Sequence, residues 1–266
     1  MRTSIIILLT LLFDCVYSQT STITINYISH APFAISDSTG PKGIEIEIMN
    51  EYIFWLKSIK KKDVSLDYKK HDDYNSIITE TKKDNKSIGL AACITGFEKI
   101  TEIEYTTPYL KNLSFCVTNG NAPDVKTKSA SDITRALGSM TALTVEKSNL
   151  NNCVTEIQKL YLKELKINFL NSENDILNSI AKNVLHFGYV DAIDFWMYLK
   201  KNPNKFLKVQ KSLDQSKETF SFITPKGSEH KKLFSEFFTT FKAGVKYRLI
   251  LEKYLGGFMA QNMAIK

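Results

Sequence analysis

Apolar residues change their spacing in a fixed order along this chain, and that order limits what it can fold into. Over STITINYI (21–28) they alternate with polar residues and are β-branched, the pattern of a strand with one buried face. Over IEIEIMNEYIFWLKSIKKK (44–62), Ile44, Ile48, Tyr52, Trp55 and Ile59 fall on one side of a helix. VSLDYKKH (64–71) reads as a strand again. DDYNSIITETKKDN (72–85) reads as a short helix opened by an aspartate cap. SIGLAACIT (87–95) is an apolar run suited to a strand buried on both faces. Strand, helix, strand, helix, strand implies a parallel sheet with right-handed crossovers.

The order then restarts. LSFCVTN (113–119) is a strand running into the turn residues GNAP, and SASDITRAL (129–137) is a capped helix. MTALTVEKS is a strand, and the helix after it starts where Ser148 or Asn149 can cap. LKINFL, NSENDILNSIAKN, VLHFGYVD and AIDFWMYLKKNP repeat strand and helix twice more, and KFLKVQKSL and ETFSFITPKG return as strands. In the closing segment Phe234, Phe237, Phe238 and Phe241 lie at helical spacing as core residues. Gly244 breaks that register before Tyr247, Ile250 and Leu251 resume it. The expected architecture is α/β with two lobes, each a mostly parallel sheet flanked by helices. Residues 19–112 and 218–266 form lobe 1, residues 113–217 form lobe 2, and the crossings near 111–118 and 212–220 form a two-segment hinge. Ligands of such sheets bind in the crevice at the strand C-terminal ends.

Residues 1–18 read as a signal peptide: Arg2, an apolar run from Ile5 to Phe13, then Val16 and Ser18 at the small-residue positions before a cleavage that leaves Gln19 first. The run is too short to span a bilayer as a helix. Phe13 and Asp14 stand where a lipobox before Cys15 wants small residues, which argues against a lipid anchor. The expected location is therefore periplasmic or secreted. Cleavage removes Arg2 and Asp14, so the net charge stays at +7. The lysines are scattered among acids rather than interleaved with aromatics, which argues for a solvated surface and against a nucleic-acid groove. Cys93, Cys116 and Cys153 fit no metal-site spacing. They are read either as one disulfide plus a thiol or as buried small hydrophobes. No metal, no cofactor and a monomer are expected.

Five stretches in order carry a resemblance: HAPF (30–33), GIEIEIMN (43–50), YTTPYL (105–110), YVDAIDF (189–195) and FKAGVKYRLILEKYLG (241–256). With the lobe spacing and the leader, the mature chain resembles the family 3 extracellular solute-binding proteins, the periplasmic amino-acid-binding type, which have the type II periplasmic binding fold. The resemblance implies site residues. His30 stands where the family stacks an aromatic on the ligand, beside Phe33. Tyr74 stands at a pocket aromatic. Each of His30 and Tyr74 has a plainer reading, as a loop histidine and as a helix-start core residue. The family's carboxylate-clamping arginine falls on Lys99, a point charge in place of a bidentate fork. The family's threonine falls on Gly96, with Thr95 one place earlier. Lys99 is otherwise a solvated lysine. Ser148 and Asn149 sit at a helix N-terminus, which favours an anionic or carbonyl group and also simply caps the helix. Asp191 matches the aspartate that holds a ligand ammonium, or is a loop acid.

Read this way, the chain captures a small polar solute, an amino acid or related amine or acid, and delivers it to an ABC-type transporter permease or a sensor. The alternatives are a sensing or regulatory module with a degenerate site, and a dehydratase-like enzyme on the same fold. Glu45, Glu47, His30 and Asp191 are the acids and bases such an enzyme would draw on, but they form no recognisable pair, so no catalytic residue is assigned.

Overall fold

A computed structural model describes residues 20–95 and 100–266. The leader, Cys15 and Lys99 lie outside the described residues. The first lobe opens with β1 (Ser21–Ile28), a small hairpin of β2 (Ile35–Asp37) and β3 (Gly40–Lys42), then α1 (Ile44–Ser58), β4 (Val64–His71), α2 (Tyr74–Thr81), β5 (Ser87–Ile94) and β6 (Ile103–Tyr105). β7 (Leu110–Asn119) leads out to α3 (Ala130–Leu137), β8 (Thr141–Val145), α4 (Asn149–Leu160), β9 (Lys166–Leu170), α5 (Glu173–Lys182), β10 (His186–Asp191), α6 (Ala192–Lys201) and β11 (Leu207–Val209). β12 (Gln215–Pro225) returns, and α7 (Glu229–Phe241) and α8 (Val245–Met263) pack onto the first lobe.

One sheet runs through both lobes in the order β4-β1-β5-β12-β7-β10-β8-β9. β1 pairs parallel with β4 and β5, and β8 pairs parallel with β9 and β10. β12 pairs antiparallel with β5, and β7 with β10, so each lobe repeats the same strand order as seen from the middle. The two crossing strands pair antiparallel with each other, Leu110 against Phe220 and Ser114 against Gln215. The ladder shifts between Gln215 and Glu218. Bulges of this kind bend a strand and re-aim its side chains.

The helices form where capping and apolar spacing agree. Asp73 caps α2, Ser129 caps α3, Ser148 caps α4 and Ser172 caps α5, each side chain accepting from a backbone amide three residues on. The C-terminal phenylalanines fill the main core: Phe234 and Phe238 are fully buried and stack on each other, with Phe222 edge-on to Phe234. Ile59 departs from the expected helical face. α1 ends at Ser58, and Ile59 is 64% exposed, because the lysine run after it turns the chain out with Lys61 in the left-handed region at φ 55°. The 31–43 segment holds the β2–β3 hairpin. Gly43 starts α1 at φ 130°, and a Cβ there would lie 2.3 Å from the Phe33 carbonyl oxygen, so only glycine fits. Gly256, at φ 74°, kinks α8. No disulfide joins Cys93, Cys116 and Cys153, and Cys93 and Cys116 are buried, which favours the small-hydrophobe reading. No helix among the described residues is long and apolar enough to cross a membrane.

Candidate functional site

The second lobe gathers acids where its strands end. Asp191 closes β10 and precedes α6, yet its side chain makes no capping bond. Its Oδ1 instead accepts from the Ser114 hydroxyl at 3.3 Å, on the crossing strand β7. Asp194 follows one helical turn later. Glu173, in the first turn of α5, accepts the Asp191 backbone N–H at Oε2, 2.6 Å away. One carboxylate oxygen from each of Glu173, Asp191 and Asp194 lies within 4.8 Å of the others. Like charges this close resist ionising together. Burial, then the charges of Asp191 and Asp194, lift the Glu173 carboxyl to about 8. Burial, then the charges of Asp194 and Glu218, lift Asp191 to about 6, against the hydrogen bonds of Ser114 and Asn112. Burial also raises Asp194, and the charge of His30 opposes that rise.

Glu218, at the shift in β12, adds a fourth carboxylate beside this group. Its Oε1 accepts from the Asn149 amide at 2.6 Å and its Oε2 from the Asn112 amide at 3.0 Å. It thereby ties α4 of the second lobe to both crossing strands. A cavity of about 140 Å³ opens here, lined by Asn112, Ser114, Asn149, Gln215 and Glu218 among others. Asn112 is only 4% exposed, and its Oδ1 has no hydrogen-bond partner among the described residues. A second cavity of about 360 Å³, lined by Ser148, Glu173 and Asp194, lies beside the acid cluster.

Three of the residues expected from the sequence therefore converge: Asp191 within the acid cluster, Asn149 on Glu218, and Ser148 at the neighbouring cavity. Ser148 is held to its helix, capping Asn151 and donating to the Val145 carbonyl at 2.7 Å. His30 joins them electrostatically from the first lobe. It is exposed, its charge acts on Asp194, and its ring lies at a tilt on Phe33, with ring centroids 5.7 Å apart. Phe33 itself is buried, edge-on to Phe220, so it backs His30 from the core rather than facing a cleft. Tyr74, half-buried, packs on a separate small cluster with Ile77 and Ile223, the plainer of its two readings. The Thr95 hydroxyl is engaged by β12, at 2.9 Å from the Thr219 carbonyl and 2.6 Å from the Ser221 hydroxyl.

Glu45 and Glu47 are committed elsewhere. Glu45 is fully buried, and its Oε1 accepts from Tyr109 at 2.6 Å and from the Ala92 amide at 3.0 Å. Burial lifts it to about 7. Glu47 is ion-paired to Lys253 on α8 at 2.6 Å and accepts from Tyr254.

Glu173, Asp194, Glu218, Asn112 and Ser114 escape the sequence reading. The Asp-x-x-Asp spacing of 191 and 194 across a helix start was a usable signal. Asn112 and Ser114, two apart on one strand, were another. Glu173 and Glu218 reach the site only through tertiary pairing. As chemistry, the site is a set of oxygen acceptors with carboxylates in excess. It can accept N–H donors of an ammonium, and three such carboxylates are also the hard donors that a divalent cation takes.

No family model matches the sequence, and a search of curated proteins finds no match. Solved structures do match in fold. The unliganded, open L-cystine solute receptor of Neisseria gonorrhoeae aligns at TM-score 0.70 and 17% identity, covering 94% of this chain and 97% of that one. Substrate-binding domain 2 of Lactococcus lactis GlnP, also open, aligns at TM-score 0.69 and 15% identity, covering 89% and 96%. ArtJ of Geobacillus stearothermophilus, described as an arginine-, lysine- and histidine-binding protein, aligns at TM-score 0.55 and 18% identity, covering 89% and 96%. The fold of this chain is that of the two-lobed type II binding proteins.

Proposed function

We propose that this protein is an exported solute-binding protein that takes an amine-bearing solute between its lobes and passes it to a membrane transporter. One observation carries the ligand class. In a chain of net charge +7, the carboxylates of Glu173, Asp191 and Asp194 converge where the strands of the second lobe end. Such a cluster is unfavourable while empty, and a bound ammonium relieves it. The ammonium offers three N–H donors and a charge of the sign the site lacks. Hydrogen bonds to charged groups contribute about 1.5–3 kcal/mol each, so two or three of them supply a large part of the roughly 8 kcal/mol of a micromolar ligand.

Asp191 and Glu173 would release protons as the ammonium arrives, since their carboxyls are lifted in the empty site. The two-strand hinge supports closure over the solute, with His30 and Asp194 on opposite sides. Closure would be stabilised by whatever contacts the solute makes to both lobes. The type II fold supports binding rather than turnover. The neighbour described as binding arginine, lysine and histidine supports a cationic solute.

A thermal-shift panel on the full chain tests this. Amines, including lysine, arginine and linear diamines, should raise the melting temperature, while dicarboxylic acids should not. A ligand at 100 times its Kd stabilises by about 2.7 kcal/mol, a few degrees for a chain of this size. Asp191→Asn should remove the shift. Stabilisation by no amine would overturn the reading in favour of a sensing or interaction module.

A further inference from the structure

We propose that the end of the second lobe opposite the cleft binds an anionic lipid surface, meeting it with a group of unpaired lysines and the exposed apolar side chains among them. This surface is separate from the amine site and stands without it.

Strand register brings the turns of this end into one row. Leu207 of β11 pairs with Asn119 of β7, and Thr118 pairs with Phe187 of β10. His186 of β10 pairs with Thr141 of β8, which pairs in turn with Lys166 of β9. The parallel strands β8, β9 and β10 therefore start in this row, whereas Asp191 closes β10 at the other end, about 17 Å along the strand. The lysines stand around the turns that enter the strands. Lys159, Lys163 and Lys166 flank the passage from α4 into β9, Lys182 that from α5 into β10, and Lys201 and Lys205 that from α6 towards β11. They are scattered in sequence and gathered by the fold.

Acids do not balance them. The turns of this row hold a single acid, Glu164. Elsewhere on the surface lysines find partners: Lys60 pairs with Glu236, Lys82 with Glu102 and Lys246 with Glu51. Among the described residues none of the lysines of this end has an ion pair, and Asp124, beyond the turn after β7, is taken by Lys208 at 2.5 Å. Lys159, Lys182 and Lys201 stand in the last turns of their helices, where the helix dipole favours a cation. Three helix ends offer only about half a negative charge each, too little to offset the group. The local excess is comparable with the net +7 of the whole chain. Among the lysines stand Leu160, Val184, Leu185 and Phe206, all exposed. Phe206 lies over Gly120, where a Cβ would meet its ring at 2.3 Å, yet most of it faces solvent. A soluble polyanion would meet the lysines and leave these side chains in water. A lipid surface takes both, the phosphates against the lysines and the apolar side chains into the headgroup layer.

Co-sedimentation of the full chain with lipid vesicles tests this, using phosphatidylcholine alone and phosphatidylcholine with about one-third phosphatidylglycerol. Binding should need the anionic lipid and weaken in high salt. Each lysine near such a surface strengthens binding about fivefold. Lys163→Gln, Lys182→Gln and Lys205→Gln together should therefore weaken it at least about tenfold. Leu160→Ser with Leu185→Ser should weaken it at least about threefold. Both sets replace surface side chains and should leave the urea midpoint at the wild-type value. Lys57→Gln, Lys61→Gln and Lys70→Gln, on the first lobe, remove the same charge and should change vesicle binding less than about twofold, since they lie beyond the screening length of the contact. Every variant keeps the same N-terminus, so any binding through it is common to all. Equal loss from the two lysine sets would mean attraction by net charge alone and would overturn the proposal, as would equal binding to both vesicle types or binding to neither. Binding to polyglutamate without binding to anionic vesicles would identify an acidic polypeptide as the partner and refute the lipid surface.

Discussion

Replacing Asp191 by asparagine should stabilise the empty protein above neutral pH while destroying its binding. Asp191 is lifted from 3.8 to about 6 in the fold, first by burial and then by the charges of Asp194 and Glu218. A carboxyl raised on folding binds more protons in the native than in the unfolded state across that window. Stability is therefore full below about pH 4 and falls as pH rises towards 6. A shift of roughly 2 units is worth about 3 kcal/mol. Asparagine keeps the shape and sheds the charge, but it gives back about 1 kcal/mol by weakening the bond from Ser114. The expected net gain near pH 8 is about 1–2 kcal/mol, roughly 2–8 °C in melting temperature. Near pH 4 the gain should vanish, because the wild-type carboxyl is then protonated too. Urea unfolding of both proteins at about pH 4 and about pH 8 measures the difference directly. A variant equally or less stable than wild type at both pH values would refute the claim that the acid cluster is strained when empty.

Other outcomes follow from the same structure. Glu45→Gln should flatten the loss of stability between about pH 4.5 and 7, because the buried carboxyl is raised from 4.5 to about 7 and carries its charge only at a cost above that range. Parallel wild-type and variant pH profiles would contradict this. Gly43→Ala should cost more than about 2 kcal/mol in urea unfolding, since its φ is 130° and its new Cβ would meet the Phe33 carbonyl at 2.3 Å. Phe234→Ala should cost about 3–5 kcal/mol as a fully buried aromatic. Lys99→Ala should leave diamine affinity within about twofold, since a diamine presents no carboxylate to it; a larger loss would contradict this.

The fold was largely legible because it is written in local periodicity. VSLDYKKH is β4 residue for residue, and the caps at Asp73, Ser129 and Ser148 sit where the sequence puts them. The features that escaped depend on distant partners or backbone torsion. β6 exists because Ile103–Tyr105 pairs with β12 over a hundred residues away, and the kink at Gly256 is a matter of φ. The site was legible only in part for the same reason. Asp191 and Asn149 could be placed by motif order. Glu218 becomes part of the site only because β12 crosses beside β7, and Glu173 only because α5 packs its first turn against the end of β10. Phe33 and Thr95 show the reverse. Their positions in the chain suit a ligand, but the core and the crossing strand engage them first.

A crystal structure of the full chain grown with diaminobutane would test the central claim most directly. The solute should lie between the lobes, with one nitrogen at hydrogen-bonding distance from Asp191 and Glu173, about 2.7–2.9 Å for a charged pair. A solute bound away from these carboxylates, or a cleft that stays empty at saturating amine, would contradict it.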